Sequence, residues 1–315
     1  MSRTTRPLLA AGAAAALCLA GCSADDPAAA DEITTLSFGT VPSDSADRTY
    51  ELWSIFLELA EEELDVEIEL FEATAAPAVI EAAVAGDLDL VFMGPLGSML
   101  MLDRGAPVTT VGYASGSPQM PPMESVAVTR SDSGITDLGE LAGLDVCFNN
   151  PSSTSGYLFP ATGLSEHGID PEEDINAIFV GDHRSVMNTV FEGECAAGFT
   201  FAQLAERTFA EDNDHVEQSD FTTLWRTETL ESGVLMSTEL PEEMQERITD
   251  FLFSINGDTV YEAQGCEVDS LLMDHPDGTQ YCAVFGTFWG MAEADDSYWA
   301  RAREVCEATD APACQ

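Results

Sequence analysis

Two stretches of this chain follow the same local plan. "VIEAAVAGDLDLVF" (79–92) lines up with "VMNTVFEGECAAGF" (186–199), so that Gly86 meets Gly193, Asp87 meets Glu194 and Phe92 meets Phe199. Each reads as a helix, a glycine that stops it, and a buried strand. The match is short, and ordinary helix–turn–strand grammar is the competing explanation. Read as a repeat, it implies two lobes of like architecture.

The neighbouring segments continue the alternation. "ITTLSFGTV" reads as a strand. "TYELWSIFLELAEEEL" reads as a helix with Leu52, Phe56, Leu59 and Glu63 on one face, its apolar stripe fading at the acidic end. "DVEIELFE" sets Val66, Ile68 and Leu70 against Glu67 and Glu69, the pattern of a half-buried strand. In the second half, "ESVAVTRSDSG", "LDVCFNN", "NAIFV" and "ECAAGF" read as strands, with helices after "SSTSG" and over "RSVMNTVFEG". Strand–helix–strand order of this kind predicts an α/β fold, each lobe a mostly parallel sheet flanked by helices. The Pro- and Ser-rich "SGSPQMPPMES" (115–125) marks the passage between lobes. The return passage is expected within 225–255. The predicted division is 34–121 plus 256–315 for the first lobe and 122–255 for the second. Two crossing segments make a hinge, and the cleft between the lobes is the place for a ligand.

Charge narrows the function. The chain has 11 basic residues, all arginine, against 57 acidic ones, a net −46. It lacks the basic patch that phosphate-directed nucleic-acid binding needs. The acids are scattered, as on a solvated surface that stays soluble where salt screens repulsion. No D-x-[DN]-x-[DN]-G calcium loop is present.

The N-terminus reads as an address. Arg3 and Arg6 precede an apolar run from Leu8 to Ala20, a signal-peptide layout too short to anchor a helix in a bilayer. Leu19-Ala20-Gly21-Cys22 resembles a bacterial lipoprotein box, which implies a signal over 1–21 and a lipid on Cys22. Residues 22–33 then form a polar tether. Six cysteines remain: Cys147, Cys195, Cys266, Cys282, Cys306 and Cys314. An even number in an exported chain predicts three disulfides, with fifteen pairings open. Cys147–Cys195 is expected from neighbouring strands, and Cys266–Cys282 and Cys306–Cys314 from short loops. No C-x-x-C spacing supports the rival zinc site, and no metal or cofactor is expected.

The candidate site is "PSSTSG" (151–156), directly after a strand and before a helix. In open α/β sheets, ligands sit beyond the carboxyl ends of strands. The first turn of a helix holds backbone N–H groups without partners, which an oxyanion satisfies. Ser153, Thr154 and Ser155 add rotatable hydroxyls, and Gly156 admits close approach of the backbone. A plain N-cap needs one hydroxyl rather than three in a row. His183, in "FVGDHRSVM", opens the next strand–loop–helix unit and is the second candidate, as a neutral or protonated donor to the same anion. His167, His215 and His275 lack such placement.

These residues resemble a family. "NPSSTSGYLFP" followed by "FVGDHRSVMNTVFEGECAAGF" is similar to the phosphate/phosphite/phosphonate-binding proteins of ABC importers, and "AGDLDLVFMGP" to that family's first-lobe motif. The resemblance covers roughly 34–255. It implies a type II periplasmic-binding-protein fold and delivery of a small oxyanion to a membrane permease. It carries ligand contacts over to Ser153, Thr154, Ser155 and His183, and Gly156, Met93 and Gly94 complete the expected ligand-binding set. The chain departs from the pattern at Ala76 and Met93, where tyrosine is common, and at Ala196, where aspartate is common. Fewer aromatics and acids make an aminoalkyl phosphonate a poorer fit than phosphite, phosphate or methylphosphonate. The expected protein is a monomer held by lipid at the outer face of the cell membrane. The same fold could instead take a sulfonate or a phosphorylated vitamin precursor. A secreted hydrolase is the remote alternative, since G-x-S-x-G, S-x-x-K, P-loop and H-E-x-x-H motifs are absent.

Overall fold

The computed structural model describes residues 33–41, 46–73, 75–119, 122–151, 153–309 and 314. The expected signal peptide, the expected lipid site Cys22 and the expected tether up to residue 32 lie outside the described residues. The first lobe opens with β1 (Thr35–Thr40), α1 (Ala46–Leu64), β2 (Glu67–Glu72), α2 (Ala76–Ala85), β3 (Leu90–Met93), α3 (Pro95–Asp103) and β4 (Val108–Ser115). The second holds β5 (Glu124–Arg130), β6 (Asp145–Phe148), α4 (Phe159–Glu166), β7 (Asn176–Phe179), α5 (His183–Phe191), β8 (Ala197–Phe201), α6 (Phe209–Glu211) and β9 (Phe221–Glu228). The chain then returns through β10 (Gly233–Ser237), α7 (Glu242–Ser254), α8 (Gly257–Gln264), the hairpin of β11 (Leu272–Asp274) and β12 (Gln280–Cys282), β13 (Gly290–Glu293) and α9 (Ala300–Thr309).

Side-chain periodicity explains the layers. In α1, Leu52, Trp53, Phe56 and Ala60 are buried while Glu58, Glu61 and Glu62 face solvent. Leu64 takes the last buried position, beside exposed Glu63, where the stripe was expected to fade. Phe38 of β1 meets Trp53 and Phe56 at ring-centroid distances of 4.9 and 5.3 Å. Each such buried side chain contributes roughly 1.5–3 kcal/mol of hydrophobic stabilisation.

The first sheet runs β13-β4-β10-β3-β1-β2 and the second β7-β6-β8-β5-β9. Parallel pairs form the heart of each: β1 with β2 and β3, and β6 with β7 and β8. β10 runs antiparallel to both β3 and β4, and β5 antiparallel to both β8 and β9. The reversed strands β10 and β5 adjoin the two passages between lobes, and β13 at the edge of the first sheet is also reversed, antiparallel to β4.

The sequence repeat is a structural one. Gly86 and Gly193 both end their helices with positive φ, 81° and 77°. The amide after each reaches back to the same relative carbonyl: Asp87 to Ala82 and Glu194 to Thr189, both at 3.0 Å. This is the Schellman closure that a left-handed glycine permits. β3 and β8 then start at matching positions, Leu90 and Ala197.

Strand pairing corrects the predicted lobe boundary. Residues 233–254 were expected in the second lobe, yet Gly233 pairs with Met93 and Tyr113 of the first sheet. Phe251 of α7 packs 6.0 Å from Phe56 of α1. The return passage is therefore 229–232. It runs beside the outward passage, tied by Thr229 N–H to the Met123 carbonyl (2.9 Å) and Ala114 N–H to the Ser232 carbonyl (2.8 Å). A third link, not foreseen, comes from α9. Arg301 lies 5.0 Å over the Phe159 ring of the second lobe, while Arg303 pairs with Asp103 of the first at 2.9 Å.

The structure joins Cys147 to Cys195, Cys266 to Cys282 and Cys306 to Cys314. Cys195 lies two residues ahead of β8 rather than within it. Among the described residues no helix is long and apolar enough to cross a membrane.

Candidate functional site

β6 ends at Phe148, and "NNPSS" leads into a π-helical turn, Thr154–Leu158, that continues as α4. The three hydroxyl residues have three different tasks. Ser153 is the cap: its Oγ accepts from Gly156 N–H at 3.0 Å, and its carbonyl accepts from Tyr157 and Leu158 N–H. Thr154, 6% exposed, turns its hydroxyl to the opposite lobe, where Oγ1 accepts from the Leu96 amide at 3.1 Å. Ser155 is buried, and its carbonyl accepts from Ser125 Oγ at the start of β5. The Thr154 and Ser155 amides and the Ser155 hydroxyl make no hydrogen bond with the described residues. They are the free donors of this helix start.

Gly156 does not face open space. A methyl group there would sit 2.1 Å from Asn149 Oδ1 and 2.9 Å from Ser153 Oγ. The close approach it permits is to Asn149 and not directly to a ligand, as had been expected.

The first lobe supplies the facing wall. Gly94 precedes Pro95 at the start of α3, and its carbonyl accepts from Ser98 N–H at 3.0 Å. A methyl at Gly94 would meet nothing within 4 Å, so this turn presents bare backbone. Met93 is buried with its side chain folded against Gly97, so it brings main chain rather than a thioether to the turn. Two helix starts, one from each lobe, thus meet through the Leu96–Thr154 hydrogen bond, and both carry partial positive charge.

His183 opens α5 behind its cap Asp182. Its Nδ1 lies 3.0 Å from Thr200 Oγ1, its Nε2 lies 2.9 Å from Asn149 Nδ2, and its ring stands edge-on to Phe201. The residue is half-buried, and the protein packed around its ring pushes its pKa down to about 4, outweighing the opposing pull of Asp182. The ring is neutral at pH 7. Both nitrogens are engaged within the protein, so His183 does not stand as the free donor the sequence suggested.

The arginines that follow the site residues in the second lobe are engaged elsewhere, Arg184 with Asp212 and Arg226 with Glu124 and Glu206. The donors assembled here are neutral. Amides and hydroxyls hold an oxyanion by dipoles at contact range, which a diffuse negative field does not cancel. A hollow of about 670 Å³ elsewhere on the first lobe is lined by Asp250 and Glu293 and has the wrong sign for an anion.

Sequence reasoning missed Asn149, Thr200 and the Leu96 amide. Asn149 sits at the end of a strand beside the turn, a position that could have flagged it. Trp225, which the sequence left unplaced, packs on Gly163 of α4 and 6.1 Å from Phe199.

The model of the family described as "ABC transporter, phosphonate, periplasmic substrate-binding protein" matches residues 38–299. The chain is 26% identical to the phosphate-import protein PhnD of Mycolicibacterium smegmatis, over 99% of both chains. Two solved structures share the fold with TM-scores of 0.70. One is a binding protein component of an ABC phosphonate transporter from Pseudomonas aeruginosa (17% identity, 89% of this chain and 87% of that one). The other is PhnD1 from Prochlorococcus marinus in complex with methylphosphonate (18% identity, 88% and 98%). The chain belongs to the family of periplasmic phosphonate substrate-binding proteins of ABC transporters.

Proposed function

We propose that the cargo is a phosphorus oxyanion, phosphate, phosphite or a small phosphonate, held between the Thr154–Leu158 turn and the start of α3 and handed unaltered to a membrane permease. The observation that carries this reading is the hydrogen bond from the Leu96 amide to Thr154 Oγ1, which joins two positively polarised helix starts across the lobes. A relative over the full length is a phosphate importer, and a protein of the same fold holds methylphosphonate. Ser155 and the Thr154 amide are proposed as direct ligand donors, with Ser153 and Gly156 shaping the turn and Met93 and Gly94 supplying backbone. The protein works as a monomer, tethered by lipid on Cys22 to the outer face of the membrane, and without turnover of its ligand.

The test is a thermal-shift panel at high salt on the purified protein with phosphite, phosphate, methylphosphonate, aminoethylphosphonate, sulfate and an alkyl sulfonate. Ligand that binds only the folded state raises its melting point. A shift with one of the phosphorus compounds names the cargo. A shift with the sulfonate alone replaces this reading by a sulfonate carrier, and no shift in a folded protein refutes the oxyanion site.

A further inference from the structure

The ring of His183 can be assigned a tautomer from its neighbours. Asn149 Oδ1 accepts from the Asn150 amide at 2.7 Å, so the end of that side chain facing His183 is the NH2 group. An NH2 can only donate, so Nε2 is the acceptor at 2.9 Å. In a neutral ring the proton then lies on Nδ1, which donates to Thr200 Oγ1 at 3.0 Å. Asn149 cannot turn freely, because its Oδ1 is wedged where a side chain on Gly156 would lie. The surroundings offer no charge to override this. The turn after β6 contributes Asn149, β8 contributes Thr200 and Phe201, and the charged group acting on the ring is Asp182 of its own helix start, whose carboxylate is bonded to Ser185.

We propose that Asn149 is a positioning residue which holds His183 with a bare Nε2, and that the site thereby selects an oxyanion still carrying one proton. A lone pair repels P–O⁻ and accepts from P–OH. On entry, the ligand P–OH takes the place of the Asn149 N–H at Nε2, and that N–H, its side chain still held by the Asn150 amide, donates to a second ligand oxygen. Nε2 and the Asn149 N–H each keep a partner, and no charged donor is required. The low pKa of the ring agrees with this, because the imidazolium that would donate to a dianion is disfavoured at neutral pH. This proposal rests on the oxyanion reading above and deepens it.

The experiment has two arms. Long-range ¹⁵N–¹H NMR of the wild-type protein at pH 7 reads the protonated nitrogen of His183 without any ligand. Calorimetry with methylphosphonate reads affinity on both sides of the ligand's second ionisation. The expected results are a proton on Nδ1 and an affinity that falls roughly tenfold per pH unit above that ionisation, as linkage to one bound proton requires. Asn149→Asp, which places an acceptor at Nε2, should move the proton to Nε2 and flatten the pH profile. A wild-type ring protonated on Nε2, or an affinity unchanged across the ligand's ionisation, overturns the proposal. A proton on Nδ1 with no phosphorus oxyanion bound at any pH overturns instead the cargo reading on which it rests, and leaves Asn149 as the group that sets the ring.

Discussion

The Leu96 amide and the Thr154 hydroxyl, 58 residues apart in sequence, meet at 3.1 Å and join the start of α3 to the turn before α4. Thr154 is therefore both a wall of the site and a latch between lobes. Thr154→Ala removes the latch and leaves a buried amide unpaired. It should weaken phosphate or methylphosphonate binding by about 1–3 kcal/mol. Ser155→Ala should weaken it by a similar amount while leaving the latch intact. Calorimetry measures both losses, and small-angle scattering separates them, since a more open ligand-free form is expected in Thr154→Ala alone. Unchanged affinity in both variants would remove this turn from the site.

Gly156→Ala should cost about 1–3 kcal/mol of stability, the usual range for overpacking, because its methyl would meet Asn149 Oδ1 at 2.1 Å. The clash has a single side chain as its main partner. Asn149→Ala in the same molecule should restore much of the melting temperature, and the double-mutant cycle should show strong coupling. Additive losses would show that Gly156 is needed for a different reason.

Two groups shift stability with pH in opposite senses. Glu231 lies in the return passage, with its amide on Tyr298 Oη at 3.0 Å and its Oε2 buried without a partner. Burial raises its carboxyl from 4.5 to about 7, against the pull of the Met123 amide. The folded state thus holds this proton more tightly than the unfolded one. The stability it contributes is complete below 4.5 and lost as pH rises to about 7. Glu231→Gln should raise the melting temperature at pH 8 and change it little at pH 4. His183 acts the other way: its pKa falls from 6.5 to about 4, so its contribution is present above 6.5 and lost as pH drops toward 4. His183→Asn should flatten the acid limb of the same melting profile. A Glu231→Gln profile parallel to wild type from pH 4 to 8 would show that the carboxylate is solvated.

The Cys147–Cys195 bridge closes a loop with a sequence separation of 48, against 8 for Cys306–Cys314. By chain entropy the longer loop is worth about 4 kcal/mol and the shorter about 2.5. Replacing the first pair by alanine should lower the denaturation midpoint more than replacing the second. The opposite order would place the dominant effect in the folded state rather than in the unfolded chain.

The elements and the helix starts are legible in local sequence. The repeat at Gly86 and Gly193, the alternation in β2 and the cap at Ser153 are set by residues within a few positions of one another, so local sterics and periodicity suffice to reveal them. Ser153, Thr154 and Ser155 were readable as a helix start with donors to spare, though not that each has its own task. Pairing across the molecule decided the rest. β10 reads as a strand wherever it lies, and only its registry opposite Met93 and Tyr113 assigns it to the first lobe. Asn149 looks like an ordinary loop residue until folding brings His183, 34 positions away, to its amide. A hydrogen bond between distant residues leaves no period in the chain, and its geometry exists only once the sheets have fixed where each helix begins.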